Sequence, residues 1–258
     1  MNEIWIVGDR FGAFAGHDGV LTLTGFVRGL TAIAAGRDLL RVRLGQGIGE
    51  HERAYLTEAI ERHGLRDRVR VAESRPTAAG RDLVHKHRLT NVLLEDVREA
   101  DGDRFHAGLR VASDNELLLD HESGGHVPGI VVVEAARQMI LAAMELRYFR
   151  RLREEGHRGE WAMVWDDVEV RFASFLFPLP AEVHCELVDP APARMMADRV
   201  RCTARIVIVQ AGREAATALI TCTAFGADRL AAVEHRRGLR AVAEISTGPD
   251  DASTGLAA

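Results

Sequence analysis

The chain is short of the residues that mark several protein classes. It has three cysteines, Cys185, Cys202 and Cys222, and no Cys-x-x-Cys spacing. All three fall in strand-like segments, so buried reduced thiols are expected rather than a disulfide framework or a metal site. No apolar run approaches the roughly 20 residues that cross a bilayer, and no membrane partner is expected. The first eleven residues carry Glu3 and Asp9 and lack the basic start and apolar block of an export signal, so a cytoplasmic location is expected. Positive charge is also lacking. The formal net charge is -5, a sign that does not favour nucleic acid.

What remains is an ordinary globular mix, 47% hydrophobic and 28% charged over 258 residues, enough for one medium domain plus a small one. Residues 1–75 read as a separate small α/β unit. Strands are expected at 4–7, 20–24, 39–44 and 69–72, with a helix over 50–63 that carries Tyr55, Leu56, Ala59 and Ile60 on one face and closes at Gly64. The run Gly45-Gln46-Gly47-Ile48-Gly49-Glu50 follows a strand and opens that helix. Its third glycine is misplaced for a dinucleotide fingerprint, so a mobile surface loop is expected. Residues 73–80, with Pro76, read as a linker.

A second unit spans 83–226. Strands are expected at 91–97 and 105–111 around the turn Asp101-Gly102-Asp103, with 116–120 continuing the edge. Then come the glycine-rich corner Gly124-Gly125-His126-Val127-Pro128-Gly129, a long apolar helix over 130–149 and a charged loop over 150–160. Four strands follow, at 163–172, 181–187, 199–210 and 215–225, with Asp166-Asp167 read as a turn. Pro178, Pro180, Pro190, Pro192 and Gly212 punctuate the gaps. A helix apolar on nearly every side must be buried all round. The simplest solution wraps one antiparallel sheet around it, the α+β layout called a hotdog. Residues 227–258 read as a C-terminal tail whose last ten or so residues are disordered.

The chemistry concentrates in the central helix. Glu134 sits among Ile130, Val131, Val132, Val133, Ala135, Ala136, Met139, Ile140 and Leu141. A carboxylate in such company is costly unless paired. Arg137 at i+3 and Gln138 at i+4 share its face. Two readings stand: a packing ion pair, or an acid or base tuned by burial and by Arg137. Pro128 and Gly129 open the helix, where unpaired N–H groups and the positive dipole end suit a thioester oxygen. His121 and His126 precede that opening and are the candidate histidines. His85 and His87 lack a third ligand, and no metal is expected. Arg147, Arg150, Arg151 and Arg153 cluster at the helix C-terminus. They favour the dipole there, or would dock an acidic partner.

The run His126-Val127-Pro128-Gly129-Ile130-Val131-Val132-Val133-Glu134-Ala135-Ala136-Arg137-Gln138 resembles the A-factor-biosynthesis (AfsA) hotdog family, whose helix carries a Glu-x-x-Arg-Gln signature. The approach Leu83-Val84-His85-Lys86 through Asn91-Val92-Leu93-Leu94 is similar to the start of that domain. More distantly, Pro128-Gly129 with Glu134 resembles the 3-hydroxyacyl-carrier-protein dehydratases, as does Val168-Glu169-Val170-Arg171-Phe172. The best-known AfsA members carry two hotdog repeats and this sequence shows one, which implies a homodimer or a hotdog partner subunit.

The resemblance further implies transfer of a β-ketoacyl group from acyl carrier protein to a dihydroxyacetone-phosphate-like acceptor. The substrate rides on the partner's phosphopantetheine, with no cofactor held by the chain itself. Glu134 would deprotonate the acceptor, Gly129 would hold the thioester oxygen, and Arg137 would meet a phosphate or orient Glu134. The dehydratase likeness instead gives the α-proton to a histidine, His121 or His126, and keeps Glu134 protonated as the acid. A third reading is an acyl-binding partner subunit without catalysis.

Overall fold

The computed structural model describes residues 2–72, 76–119, 121, 124–156, 159–188 and 199–246. The expected disordered end, the Pro190 and Pro192 gap and part of the expected linker lie outside them.

The small unit is a parallel sheet. Strands β1 (Asn2–Val7), β2 (Val20–Thr22), β3 (Leu40–Leu44) and β4 (Val69–Val71) lie in the order β2-β1-β3-β4. Helix α1 (Leu23–Ala35) crosses from β2 to β3, and α2 (Glu50–Arg62) from β3 to β4. The sequence reading missed α1 because its start carries three Thr/Gly positions. Capping explains it. Thr22 Oγ1 accepts from Gly25 N at 3.0 Å, and the Asp9 carboxylate accepts from Thr24 N at 3.0 Å. Leu23, Phe26 and Leu30 then bury one face against Leu56, Ala59 and Ile60 of α2, giving the unit a core of its own.

The larger unit is a six-stranded antiparallel sheet. Strands β5 (Leu94–Glu99), β6 (Arg104–Leu109), β7 (Trp161–Phe172), β8 (Glu182–Leu187), β9 (Arg199–Gln210) and β10 (Arg213–Gly226) lie in the order β5-β6-β8-β9-β10-β7. Residues 116–119 are a helical turn, α3, rather than the expected edge strand. Asn115 caps it, its Oδ1 accepting from Leu117 N at 2.9 Å. Helix α4 (Gly129–Met144) lies across the sheet's inner face and continues through a π-helical turn, Glu145–Phe149, into α5 (Arg150–Glu154). Val131, Val132, Met139 and Ile140 are at most 2% exposed. Each such side chain contributes roughly 1.5–3 kcal/mol by leaving water. Burial is not complete all round, however. Ile130, Val133, Glu134 and Arg137 form a stripe that the chain's own sheet leaves open.

Three further expectations are corrected. Residues 227–246 form helix α6, continuing directly from β10, although no residue of it is buried. Asp166 and Asp167 lie within β7, at a register shift opposite Thr221 and Cys222. The Gly45–Gly49 run is an interior joint between the units rather than a mobile loop. Gln46 is 7% exposed. Its Nε2 donates to Leu109 O at 2.9 Å and its Oε1 accepts from Val111 N at 2.7 Å. Gly47 N donates to Val111 O. A Cβ on Gly45 would lie 2.3 Å from Pro178 O, so only glycine fits there. Phe11 and Phe14 of the small unit complete the joint by packing into the hotdog core.

The sheet's two edges differ. The expected linker pairs on the outer side of β5, Ala79 N donating to Leu94 O and Asp96 N to Thr77 O. The other edge is β7, which carries Val164, Val168 and Phe172 at 39%, 42% and 55% exposure.

Candidate active site

The central helix brings Glu134, Arg137 and Gln138 together as their spacing predicts. Glu134 Oε2 accepts from Arg137 Nε at 2.8 Å, and Oε1 accepts from Arg137 Nη2 at 2.9 Å, a two-pronged pair. Gln138 Nε2 donates to the same Oε1 at 3.0 Å. Gln138 is itself fully buried and stitched to the chain before β5. Its Oε1 accepts from Leu93 N at 2.8 Å and its Nε2 donates to Asn91 O at 2.8 Å. The helix thus fastens its functional face to the sheet edge.

A fourth member was missed. Lys86 Nζ lies 2.8 Å from Glu134 Oε1, with both side chains largely buried, at 25% and 16% exposure. Lys86 stood within the quoted approach segment, but nothing in local spacing links it to a residue 48 positions away. The loop that carries it bends sharply, with His85 at φ +51°. Burial raises the energy of the Glu134 carboxylate, but donation from Arg137, Lys86 and Gln138 outweighs it and holds the group below the usual glutamate value. Burial and the Arg137 charge push His85 down, so its ring stays neutral near pH 7. The dehydratase reading needed a Glu134 kept protonated by burial. The ion pairs reverse that expectation.

The two candidate histidines sit elsewhere. Their ring centroids are 6.4 Å apart, and His126 faces Phe175 at 5.0 Å. Among the described residues, the partners of Glu134 are Lys86, Arg137 and Gln138; neither histidine is one of them. At the helix opening, the missing Cβ of Gly129 admits the Phe172 ring, whose Cζ would stand 3.1 Å from it. Phe172 is more than half exposed, so it covers the opening without being locked there.

The sequence model of the A-factor biosynthesis hotdog domain matches residues 69–226, more than half of the chain. The chain belongs to the AfsA hotdog family. Structures similar to this AfsA-family chain include the dehydratase heterocomplex ApeI:P from Xenorhabdus doucetiae. It is 17% identical, with 57% of this chain and 91% of that one covered and a TM-score of 0.44. A mutant thioesterase from Pseudomonas aeruginosa is 14% identical over 57% and 85%, with a TM-score of 0.39. A thioesterase from Haemophilus influenzae is 12% identical over 52% and 78%, with a TM-score of 0.36. No curated protein matches the sequence.

Other candidates lose weight within this family frame. Arg147 pairs with Asp103 at 2.8 Å, Arg151 with Glu155 at 2.8 Å, and Arg153 with Glu145, so three cations of the cluster at the helix C-terminus already have carboxylate partners. Among the described residues no group of His, Cys, Asp and Glu has the arrangement of a metal site, and no helix is long and apolar enough to cross a membrane. The three cysteines are buried and form no disulfide among the described residues.

Proposed function

We propose that this AfsA-family protein transfers a β-ketoacyl group from acyl carrier protein to the hydroxyl of a dihydroxyacetone-phosphate-like acceptor. The observation that carries the reading is a largely buried Glu134 flanked by two cations, Lys86 and Arg137, which hold its carboxyl below the usual glutamate value. An ionised carboxylate serves as a base, and the second cation leaves a net positive charge for an anionic acceptor. Glu134 takes the hydroxyl proton. The acceptor oxygen bonds to the thioester carbonyl carbon, the C–S bond breaks, and the proton passes to the departing thiolate. The N–H groups at Gly129 receive the carbonyl oxygen once Phe172 moves aside.

The partners of this reading are acyl carrier protein and a second hotdog subunit, identical or related, in the cytoplasm. The phosphopantetheine belongs to the carrier. The dehydratase alternative asks for a protonated Glu134 near a histidine, and the ion pairs weigh against it. The acyl-binding subunit remains the non-catalytic alternative, and one experiment separates all three. The full chain is incubated with 3-oxoacyl carrier protein, with and without dihydroxyacetone phosphate, and with 3-hydroxyacyl carrier protein. Mass spectrometry is expected to find the ester only when the acceptor is present. Loss of water from the 3-hydroxyacyl carrier would establish the dehydratase. Carrier binding with neither product would leave a binding subunit.

A further inference from the structure

We propose that Lys86 is the movable cation of this site: it leaves Glu134 to pair with the phosphate monoester of the acceptor, and so frees the carboxylate to act as base. This deepens the transferase reading and rests on it.

The three partners of Glu134 differ in how firmly they are held. Arg137 and Gln138 stand on the same helix as Glu134, at i+3 and i+4, and each has a further tie. Arg137 Nη2 reaches Val84 O at 3.4 Å, and Gln138 holds Leu93 N and Asn91 O. Lys86 instead comes from the loop before β5. Its ammonium, on a flexible four-carbon stem, has one ion pair among the described residues, to Glu134 Oε1. That oxygen already receives Arg137 Nη2 and Gln138 Nε2. Removing Lys86 therefore leaves the carboxylate oriented, with its remaining donors in place. Removing Arg137 would strip Oε2 of its one donor and leave the carboxylate held at Oε1 alone.

Charge points the same way. The groups acting on Glu134 are Lys86 from the loop and Arg137 from its own helix, with Gln138 as a neutral donor. Two cations thus meet one carboxylate. An arriving phosphate competes for the cation that is free to turn. Once Lys86 has turned, one positive charge fewer opposes proton uptake at Oε2, the oxygen that carries a single donor. The acceptor's hydroxyl proton moves there as its oxygen bonds to the thioester carbon. The base is weak until the acceptor that needs it is bound, which protects the acyl thioester from attack by water.

The test reads Glu134 directly. The full chain carries 13C at glutamate carboxyls, the Glu134 signal is assigned with Glu134→Gln, and its titration is followed by NMR with and without saturating glycerol 3-phosphate. The phosphate is expected to raise the Glu134 midpoint by about one pH unit, as loss of one cation contact demands. In Lys86→Met the midpoint starts high, glycerol phosphate binds at least about tenfold more weakly, and saturation moves it no further. Lys86→Arg keeps the binding, which controls for folding. Equal phosphate affinity in Lys86→Met, or an equal shift at saturation, would overturn the proposal. Phosphopantetheine is the second arm. If it shifts Glu134 as glycerol phosphate does, the anion belongs to the carrier arm and the acceptor assignment falls. Failure of ester formation with the NMR behaviour intact would sink the transferase reading alone.

Discussion

Replacing Gln138 by leucine tests how the site is fastened to the sheet. The side chain has no exposure and makes three hydrogen bonds, with Leu93 N, Asn91 O and Glu134 Oε1. Leucine fills nearly the same space and makes none. It strands one backbone N–H and one backbone C=O, each costing about 1–3 kcal/mol once water is excluded. The added apolar surface returns roughly 1 kcal/mol. The net expectation is a loss of about 1–5 kcal/mol, or roughly 2–10 °C in Tm for a chain of this size.

Urea unfolding followed by circular dichroism gives the measurement. The midpoint falls while the slope m stays constant, because the surface exposed on unfolding is unchanged. Gln138→Glu is the companion. It places a second carboxylate where Nε2 stood 3.0 Å from Glu134 Oε1, so it is expected to be worse at pH 8 than at pH 5. A leucine variant within about 0.5 kcal/mol of the parent would refute the reasoning, since the buried amide would then be bonding nothing of consequence.

Other expectations follow from the same geometry. Gly45→Ala drives a Cβ to 2.3 Å from Pro178 O, so the joint between the units must shift; a stability loss of about 2 kcal/mol or more is expected in the same assay. Burial, with Asp96 beside it, pushes the Glu95 carboxyl up to about 7 against the pull of Arg110 and Arg53, from an ordinary value of 4.5. The folded form then binds more protons between those values, so this group lowers stability as pH rises from 4.5 to about 7. Glu95→Gln is therefore expected to exceed the parent by roughly 2–3 kcal/mol at pH 8 and to match it at pH 4. Val168→Lys places a charge on the open edge of β7; light scattering is expected to find the parent dimeric and the variant monomeric.

Legibility followed sequence distance. Strand β9 alternates strictly, and its inward Cys202, Ala204, Ile206 and Ile208 made the strand and its face readable; β10 breaks the pattern at Ala215, Ala216 and again at Cys222, Thr223 and Ala224. Glu134, Arg137 and Gln138 were readable as a group because one helix sets their spacing. Lys86 was not, since only the wrapped sheet brings its loop to that helix. The Gly45–Gly49 run misled for the opposite reason. Its glycines read locally as a mobile surface loop, whereas here they let Pro178 and Gly8 approach from elsewhere in the chain. Helix α6 was lost because composition near the C-terminus resembles a tail. Its alternating arginines and small apolar residues still have helical propensity.

The uncovered surfaces share one corner of the molecule. The open stripe of α4 begins at Ile130, which is 53% exposed, and the open edge of the sheet ends at Phe172, whose ring touches the neighbouring Gly129. The opposite edge of the sheet is already paired. A second subunit joining along β7 would therefore arrive beside the opening of α4, one turn from the carboxylate that Lys86 and Arg137 hold. On that reading the partner is a wall of the acyl site as well as a source of stability. Val168→Lys should then reduce acyl transfer in step with association, and raising the protein concentration should restore both. Gln138→Leu should weaken the fold while the subunits still pair, so raising the protein concentration should not restore its transfer. Were a monomeric Val168→Lys chain to retain full transfer activity, the single hotdog would contain the whole site, and Phe172 alone would have to seal it.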